Sequence, residues 1–362
     1  MTRHFDGFDG RRILVTGHTG FKGGWLCLWL QKLGAVVTGF ALEPAAPSLF
    51  ATAKVGDGMR SVIGDVRDKD AVDRVLRAAR PEIIFHLAAQ SLVRRSYTDP
   101  VATFATNVMG TVNLLDAARQ VADLRAIINV TSDKCYENDG SGRAFVESDP
   151  MGGHDPYSAS KGAAEIAATA MARSFLAGSG IAVASARAGN VIGGGDWSDD
   201  RIIPDIVRAA MSKGKVVIRQ PDAVRPWQHV LEPLRGYLML ADKLMTDGVT
   251  YAGGWNFGPG SGATVSVRQI VAAMADRWPA VKADFAANPG GPHEAPVLRL
   301  DCAKARTRLG WVPQLDLAET LDLTAGWYAT HARNPADAHH LTLAQIADYS
   351  SKLTSQTKDM AT

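Results

Sequence analysis

Two short segments carry side chains that can move protons. In the first, Tyr157 and Lys161 are four residues apart and would share one face of any helix that contains both. A lysine ammonium beside a phenol stabilises the phenolate, so the pair predicts a lowered pKa for Tyr157. Tyr157 could then act as a base near neutral pH, although an unperturbed tyrosine has a pKa of about 10. The alternative is an ordinary surface tyrosine and lysine.

The second segment, Ser132-Asp133-Lys134, directly follows the apolar run Ala126–Val130. If that run is a strand of a parallel sheet, these side chains lie at its carboxyl end, where such sheets bind ligands. Ser132 could bond the Tyr157 phenol or a substrate hydroxyl, and Asp133 and Lys134 could serve as an acid/base pair. A solvated turn is the alternative explanation for these residues.

A third segment predicts what would bind beside them. The apolar run 13–16 leads into Gly17, Gly20 and Gly23, and a helical pattern of apolar residues continues from Trp25. Glycines at these positions let backbone N–H groups approach a pyrophosphate at the positive end of the following helix. The alternative is a tightly packed strand–helix turn without a ligand. Because the pattern stands between a strand and a helix near the start of the chain, it favours a dinucleotide site.

The rest of the first half must place these segments at one sheet edge. Apolar, strand-like runs alternate with helical patterns, and Asp155 with Pro156 is a helix start that would carry Tyr157. Uniformly apolar strands separated by helices predict an α/β fold with a doubly wound parallel sheet covered on both faces. The predicted strands are 13–16, 36–42, 61–63, 83–87, 126–130 and 181–186.

The pattern changes after about residue 189, where glycine, proline and tryptophan become frequent. The sequence therefore predicts a dinucleotide-binding domain over 1–188 and a smaller substrate-binding lobe over 189–335. A segment near 226–256 is expected to return to the first domain. The residues 336–362 are expected to form a C-terminal tail, a helix with a frayed end.

Composition limits the remaining classes of function. The formal net charge of +2 over 362 residues and the absence of a Lys/Arg run argue against a nucleic-acid partner. No stretch approaches the roughly 18 apolar residues of a membrane span, so no membrane partner is expected. Cys27, Cys135 and Cys302 are widely spaced and odd in number, which predicts neither a disulfide framework nor a metal site and favours a cytoplasmic protein.

Taken together, the three segments resemble the extended short-chain dehydrogenase/reductase family, over nearly the whole chain from Arg12 to about Trp327. Within this family, the acid/base pair after Ser132 is similar to that of the sugar-nucleotide 4,6-dehydratases. The residue pattern of the surrounding motifs is typical of the members specific for CDP-glucose. The stretches that carry this resemblance are T-G-H-T-G-F-K-G from Thr16, Ser132-Asp133-Lys134, 149–158, 189–197 and 225–230.

The resemblance implies a Rossmann fold and NAD as cofactor. It also implies which residues form the site. It implies dehydration of CDP-D-glucose to CDP-4-keto-6-deoxy-D-glucose in the cytoplasm, by a homodimer or a higher homo-oligomer. The implied catalytic residues are Ser132, Asp133, Lys134, Tyr157 and Lys161. The implied cofactor-binding residues are Gly17, Gly20, Phe21, Lys22, Gly23, Asp65, Val66, Leu87, Ala88 and Ala89, with Tyr157 and Lys161. The implied substrate-binding residues are Asn190, Arg201, Arg219 and Arg225.

Several points stay open at this stage. The end of the second strand reads Phe40-Ala41-Leu42, where many relatives have an acidic residue for the adenosine ribose. NAD is still favoured over its 2′-phosphorylated form because no basic residue is evident nearby. Lys134 could be the base at C5 or a cation that stabilises the enolate. Another sugar-nucleotide 4,6-dehydratase, a 4-epimerase and a non-catalytic dinucleotide sensor are the alternative functions.

Overall fold

The central element of the fold is a parallel sheet of seven strands. The computed structural model describes residues 5–285 and 298–359. The strand order is β3-β2-β1-β4-β5-β6-β7, so the chain reverses direction across the sheet between β1 and β4. The strands are β1 Arg12–Thr16, β2 Val36–Ala41, β3 Arg60–Ile63, β4 Ile83–His86, β5 Ala126–Val130, β6 Ala182–Arg187 and β7 Gly253–Asn256.

Alternate residues of the central strands bury themselves on opposite faces of the sheet. In β1, Ile13 and Val15 pack into the larger apolar cluster, whereas Leu14 belongs to the smaller one. β4 and β5 alternate in the same way. Both faces are therefore covered, as uniformly apolar strands require. The predicted α/β, doubly wound parallel sheet is confirmed.

Helices cover both faces and continue to the end of the described chain. The helices of nine or more residues are α1 Phe21–Lys32, α2 Lys69–Ala79, α3 Gly110–Ala118, α4 Pro156–Met171, α5 Ile202–Met211, α6 Leu231–Asp247, α7 Val267–Arg277, α8 Leu317–Arg333 and α9 Ala338–Asp359. Shorter helical segments are Asp6–Phe8, Leu49–Thr52, Val55–Gly58, Val93–Thr98, Pro100–Phe104, Ala105–Met109, Asp133–Cys135, Ala172–Leu176, Ala177–Ser179, Gly248–Tyr251, Ser261–Ala263, Ala305–Leu309 and Pro335–Asp337.

Short strand pairs form outside the main sheet, and all of their strands except Ala144–Phe145 come after β6. The chain beyond β6 also returns to the main sheet. β7 pairs in parallel with β6, and α6 contributes Leu234 and Leu238 to the larger apolar cluster. The division into two domains stays a prediction, and the parts of it over 1–4, 286–297 and 360–362 lie outside the described residues. The short pairs are Ala144–Phe145 with Arg299–Leu300, Val191–Ile192 with Gln228–His229, Val216–Ile218 with Ala283–Phe285 and Val224–Pro226 with Thr264–Ser266.

The start of α4 shows how local sequence places the site. Asp155 has extended backbone angles, and its carboxylate accepts a hydrogen bond of 2.9 Å from the backbone N–H of Ser158. Pro156 occupies the first helical turn, where its missing N–H costs nothing. These features fix where the helix begins and put Tyr157 in its first turn, as the sequence predicted.

The C-terminal helices pack back onto the first helix and onto a loop that follows β6. The ring of Tyr349 in α9 meets the edge of Trp29 in α1 at 5.8 Å between centroids. The indole of Trp327 in α8 donates to Thr342 of α9. Across 5–285 and 298–359, no helix is long and apolar enough to cross a membrane.

Candidate active site

A cavity of about 650 Å³ opens at the carboxyl ends of β1, β4, β5 and β6. Its walls come from the turns that follow these strands and from the residues beyond 189. The structure brings to this cavity every residue proposed for the site: Gly17, Gly20, Phe21, Lys22, Gly23, Asp65, Val66, Leu87, Ala88, Ala89, Ser132, Asp133, Lys134, Tyr157, Lys161, Asn190, Arg201, Arg219 and Arg225. The roles of these residues stay predictions.

The glycine turn between β1 and α1 is too tight for side chains. Gly17 has a φ of +76°, and a Cβ there would lie 2.8 Å from the backbone nitrogen of Ala88. A Cβ on Gly23 would lie 2.1 Å from the carbonyl oxygen of Gly17. The turn therefore packs backbone against backbone at Gly17 and Gly23, at the edge of the cavity. Such a cradle fits a dinucleotide pyrophosphate, which needs close approach to N–H groups.

The far end of the cavity lies beside β2 and β3. The carboxylate of Asp65 accepts hydrogen bonds from the backbone N–H of Arg67 at 2.9 Å and from its guanidinium Nε at 2.8 Å. The Arg67 hydrogen bond holds the pKa of Asp65 below its usual range. Leu42, at the end of β2, is exposed and lines the cavity. Sequence reasoning saw no basic residue here, but Arg67 stands two residues after Asp65 and pairs with it.

Ser132 and Asp133 form a hydrogen-bonded unit in the turn after β5. The Ser132 hydroxyl donates to Asp133 Oδ1 at 2.9 Å and accepts from the backbone N–H of Lys134 at 3.2 Å. Asp133 is only 2% exposed, and Asn190 Nδ2 donates to its Oδ2 at 3.5 Å. A Cβ at Gly189 would lie 1.8 Å from this carboxylate. The Asp133 carboxylate thus lies in a narrow space in the cavity wall, beside Ser132, that a side chain at position 189 would fill.

Tyr157 and Lys161 lie one turn apart on α4, and both are buried. Burial raises the pKa of Tyr157 to about 12, although a hydrogen bond with Ser132 lowers it. Burial also lowers the pKa of Lys161 to about 8, and its ammonium donates to the carbonyl of Val130 at 3.4 Å. The sequence-based expectation of a lowered pKa for Tyr157 is therefore wrong. Loss of solvation outweighs the charges that face the phenol.

Lys22 extends from the glycine turn to the catalytic end of the cavity. Burial, followed by the nearby charges of Arg201 and Lys161, lowers its pKa to about 7. Its amine donates to the Tyr237 hydroxyl at 3.4 Å. Three basic side chains thus converge on the end of the cavity that holds Asp133.

The proposed substrate residues occupy different environments. Arg201 Nη1 forms an ion pair with Asp196 at 3.2 Å, and its Nη2 donates to the Ser91 hydroxyl at 3.2 Å. Arg225 is buried and donates to the carbonyl of its neighbour Val224 at 3.0 Å. Arg219 is exposed and follows the short strand Val216–Ile218.

Sequence reasoning missed Asp196, although it lies in the glycine-rich stretch that it singled out. The Trp25 indole donates to the carbonyl of Gly194 at 2.9 Å, and the Tyr328 hydroxyl donates to that of Asp196 at 2.6 Å. A Cβ on Gly194 would lie 2.0 Å from the Trp327 ring. The loop 193–198 is therefore held between α1 and α8, and it presents the Asp196 carboxylate to Arg201.

Comparison with known proteins agrees with this geometry. The family model described as GDP-mannose 4,6 dehydratase matches residues 14–324. A CDP-glucose 4,6-dehydratase of Salmonella typhimurium is 47% identical over 353 residues, covering 96% of this chain and 98% of the relative. A dTDP-glucose 4,6-dehydratase of Streptomyces griseus is 31% identical, covering 88% and 94%.

Among solved structures, the UDP-glucose 4-epimerase of Thermus thermophilus in complex with NAD has a TM-score of 0.75 at 25% identity. The match covers 89% of this chain and 99% of that one. The predicted resemblance to sugar-nucleotide 4,6-dehydratases is thereby confirmed. The chain belongs to the GDP-mannose 4,6-dehydratase family.

Proposed function

We propose that the protein is an NAD-dependent lyase that dehydrates CDP-D-glucose to CDP-4-keto-6-deoxy-D-glucose. The observation that carries this proposal is the Ser132–Asp133 unit, which faces the same cavity end as Tyr157 and Lys161. A reductase of this kind needs Ser, Tyr and Lys for hydride chemistry, and a buried carboxyl beside the serine adds a group suited to elimination. The 47% identical CDP-glucose 4,6-dehydratase supports the choice of substrate.

The cavity walls fit NAD. The backbone of Gly17, Gly20, Phe21, Lys22 and Gly23 would hold the pyrophosphate; Asp65 and Val66 would face the adenine; Leu87, Ala88 and Ala89 would lie under the diphosphate and ribose; and Tyr157 and Lys161 would meet the nicotinamide ribose. When bound, NAD would supply the hydride chemistry at C4 and C6 of the sugar.

In the first stage, Tyr157 takes the proton of the C4 hydroxyl. Because burial raises its pKa to about 12, the phenol keeps its proton at neutral pH until positive charge is added beside it. Of the chain's own cations, Arg201 already acts on the phenol in the direction of a lower pKa. We propose that Lys161, one turn further along α4, adds to that effect when the cofactor and the sugar are bound. Ser132 bonds the phenol and holds its orientation.

Elimination follows because the C4 ketone acidifies the proton at C5. Asp133 serves as the general acid that gives a proton to the C6 hydroxyl, so that the C5 proton and the C6 hydroxyl are lost and water leaves. Lys134 either removes the C5 proton as a neutral amine, or stabilises the enolate as a cation while another base in the cavity accepts that proton. We propose that Asn190, Arg201, Arg219 and Arg225 bind the nucleoside diphosphate, since an arginine fork matches phosphate oxygens in pairs.

A product assay tests the proposed function. We expect CDP-glucose and NAD to yield the 4-keto-6-deoxy sugar nucleotide, identified by NMR, without net formation of NADH. dTDP-glucose, UDP-glucose and GDP-mannose serve as competing substrates that would reveal a different base preference. CDP-galactose as product would indicate a 4-epimerase, and stoichiometric NADH a simple dehydrogenase. Binding of both ligands without conversion would indicate a sensor.

We also propose that the protein assembles as a homodimer through the outer face formed by the helical segments 100–109 and by α4. Val101, Met109 and Ile166 are exposed on the neighbouring segments Pro100–Phe104, Ala105–Met109 and α4. Apolar residues grouped in this way mark association surfaces, and a twofold dimer needs only one such self-complementary face.

Light scattering tests this assembly. Ile166→Asp is expected to convert dimer to monomer, because a carboxylate would be buried at the contact. Val249→Asp is the matched control, since Val249 is 58% exposed against 61% for Ile166 but lies in Gly248–Tyr251. A parent protein that is monomeric, or equal behaviour of the two variants, would contradict the proposal. A cytoplasmic location stays a prediction that rests on the cysteine content.

A further inference from the structure

Behind the cavity wall lies a buried ion pair between Glu165 and Arg187. Their side chains are 3% and 6% exposed. The guanidinium Nε and Nη2 each donate to one carboxylate oxygen at 2.9 Å, which is a bidentate arrangement. Neither residue lines the cavity that holds the catalytic side chains. Burying two charges costs desolvation that a pair of apolar residues would avoid, so such a pair is weak as a stabilising device.

The pair grips both ends of the catalytic turn, which we define as residues 131–136. At its start, the Thr131 hydroxyl donates to Glu165 Oε1 at 2.5 Å. At its end, Arg187 Nη1 donates to the Tyr136 hydroxyl at 2.7 Å, and the guanidinium lies over the Tyr136 ring at 4.9 Å. Ser132, Asp133 and Lys134 stand between these two anchored residues.

The same pair also connects the turn to the other catalytic side chains. Glu165 belongs to α4 and follows Lys161 by four residues, so it lies on the same helix face as Lys161 and Tyr157. Arg187 ends β6. The Tyr136 hydroxyl continues the network by donating to Asn256 of β7 at 2.6 Å. This hydrogen-bonded network thus connects the catalytic turn to α4, to β6 and to β7.

We propose that Glu165 and Arg187 are positioning residues that hold the catalytic turn at a fixed distance from Tyr157 and Lys161. This inference rests on the proposed dehydratase function. The elimination needs Asp133 and the oxidation needs Tyr157 at one sugar ring, and the two groups come from different elements. An ion pair with directional bonds to both elements fixes their separation more narrowly than apolar packing does. Misplacement by about 1 Å can cost about 10²-fold in rate.

Glu165→Gln removes the carboxylate charge and weakens its bonds to Arg187 and Thr131 without changing the size of the side chain. We expect kcat for CDP-glucose to fall about 10–100-fold while KM stays unchanged, because Glu165 bonds Thr131 and Arg187 and none of the arginines proposed to bind the substrate. The matched control is Glu232→Gln. Glu232 is equally buried, at 1% exposed, and accepts from the backbone of Gln314 and Leu315 and from the Tyr349 hydroxyl. Glu232 lies away from the cavity. The folded fraction of this variant should therefore have the parent kcat, even if the variant is less stable.

Thr131→Val separates positioning from charge. Burial lowers the pKa of Lys161, and the Glu165 charge opposes that effect, so Glu165→Gln alone also alters Lys161. Thr131→Val leaves the charge in place and deletes only the hydroxyl bond. It should lower kcat, and its effect should not multiply with that of Glu165→Gln, since both break one link. An unchanged kcat in Thr131→Val, or fully multiplicative losses, would overturn the proposal.

Hydrogen exchange of the full chain gives a readout that needs no turnover. Several backbone N–H groups in this region are hydrogen-bonded, including those of Thr131 to Ala186 and of Cys135 to Ser132. Peptides covering 131–136 should exchange faster in Glu165→Gln and at the parent rate in Glu232→Gln. Unchanged exchange in Glu165→Gln would overturn the inference. If the parent protein failed to convert CDP-glucose, the proposed function would fall, and exchange would still decide whether the pair holds the turn.

Discussion

Replacement of Asp133 by asparagine is expected to slow the formation of product by about 10²–10⁴-fold, the usual worth of a positioned general acid. The amide has the shape of the carboxyl group and can still accept the hydrogen bond from Ser132, but it cannot usefully donate a proton to the departing C6 hydroxyl. Binding should persist, because the side chain is buried in the wall behind Gly189.

The distinctive outcome for Asp133→Asn is uncoupling of two steps. With CDP-glucose in D₂O, the variant should still form the C4 ketone and should exchange the C5 proton with solvent. Recovered CDP-glucose should therefore contain deuterium at C5, detected by mass spectrometry and NMR, while little product forms. If the variant turned over at the parent rate, or neither exchanged C5 nor formed product, Asp133 would not be the elimination acid.

Tyr157→Phe should stop the reaction earlier and lose both activities. Phenylalanine keeps the ring that is buried in the first turn of α4 but removes the group that takes the C4 hydroxyl proton. We expect a loss of at least about 10²–10⁴-fold in product formation, because a general base is removed from the first step. No deuterium should enter C5, since the ketone that acidifies this proton does not form.

The pair of variants forms its own control. The melting temperature should change little in Tyr157→Phe, because the packing volume is kept. The interaction lost is one hydrogen bond with Ser132. C5 exchange at the level of Asp133→Asn would show that another residue serves as the base for C4 oxidation. An equal absence of exchange in both variants would assign Asp133 to the oxidation at C4 instead of the elimination.

The sequence predicted the order and type of the main elements well, for identifiable reasons. The strand Ala126–Val130 was predicted with its observed bounds, because four of its five residues are apolar and polar residues stand on both sides of it. The strand expected at 36–42 ends one residue earlier, at Ala41, where Leu42 turns outward to the cavity. The start of α4 followed from Asp155 and Pro156, whose local chemistry acts independently of the tertiary fold.

Site residues converged on one cavity because parallel strands bring their carboxyl ends to one edge, a rule that needs no knowledge of contacts. The sequence could not predict how far each site residue is removed from water. The rise in the pKa of Tyr157 depends on how completely distant segments bury it. Pairings such as Arg201 with Asp196, and Glu165 with Arg187, likewise depend on loop paths and helix packing. Local spacing does not encode them.

The hold of the C-terminal helices on the loop 193–198 has a consequence for the order of synthesis. The glycine turn, the catalytic turn and the start of α4 have all left the ribosome long before α8 and α9 exist. Until Trp327 and Tyr328 arrive, nothing from those helices presses on Gly194 or bonds Asp196. A nascent chain that folds from its N-terminus can therefore assemble its dinucleotide cradle first, and the opposite wall matures only after α8 has been translated.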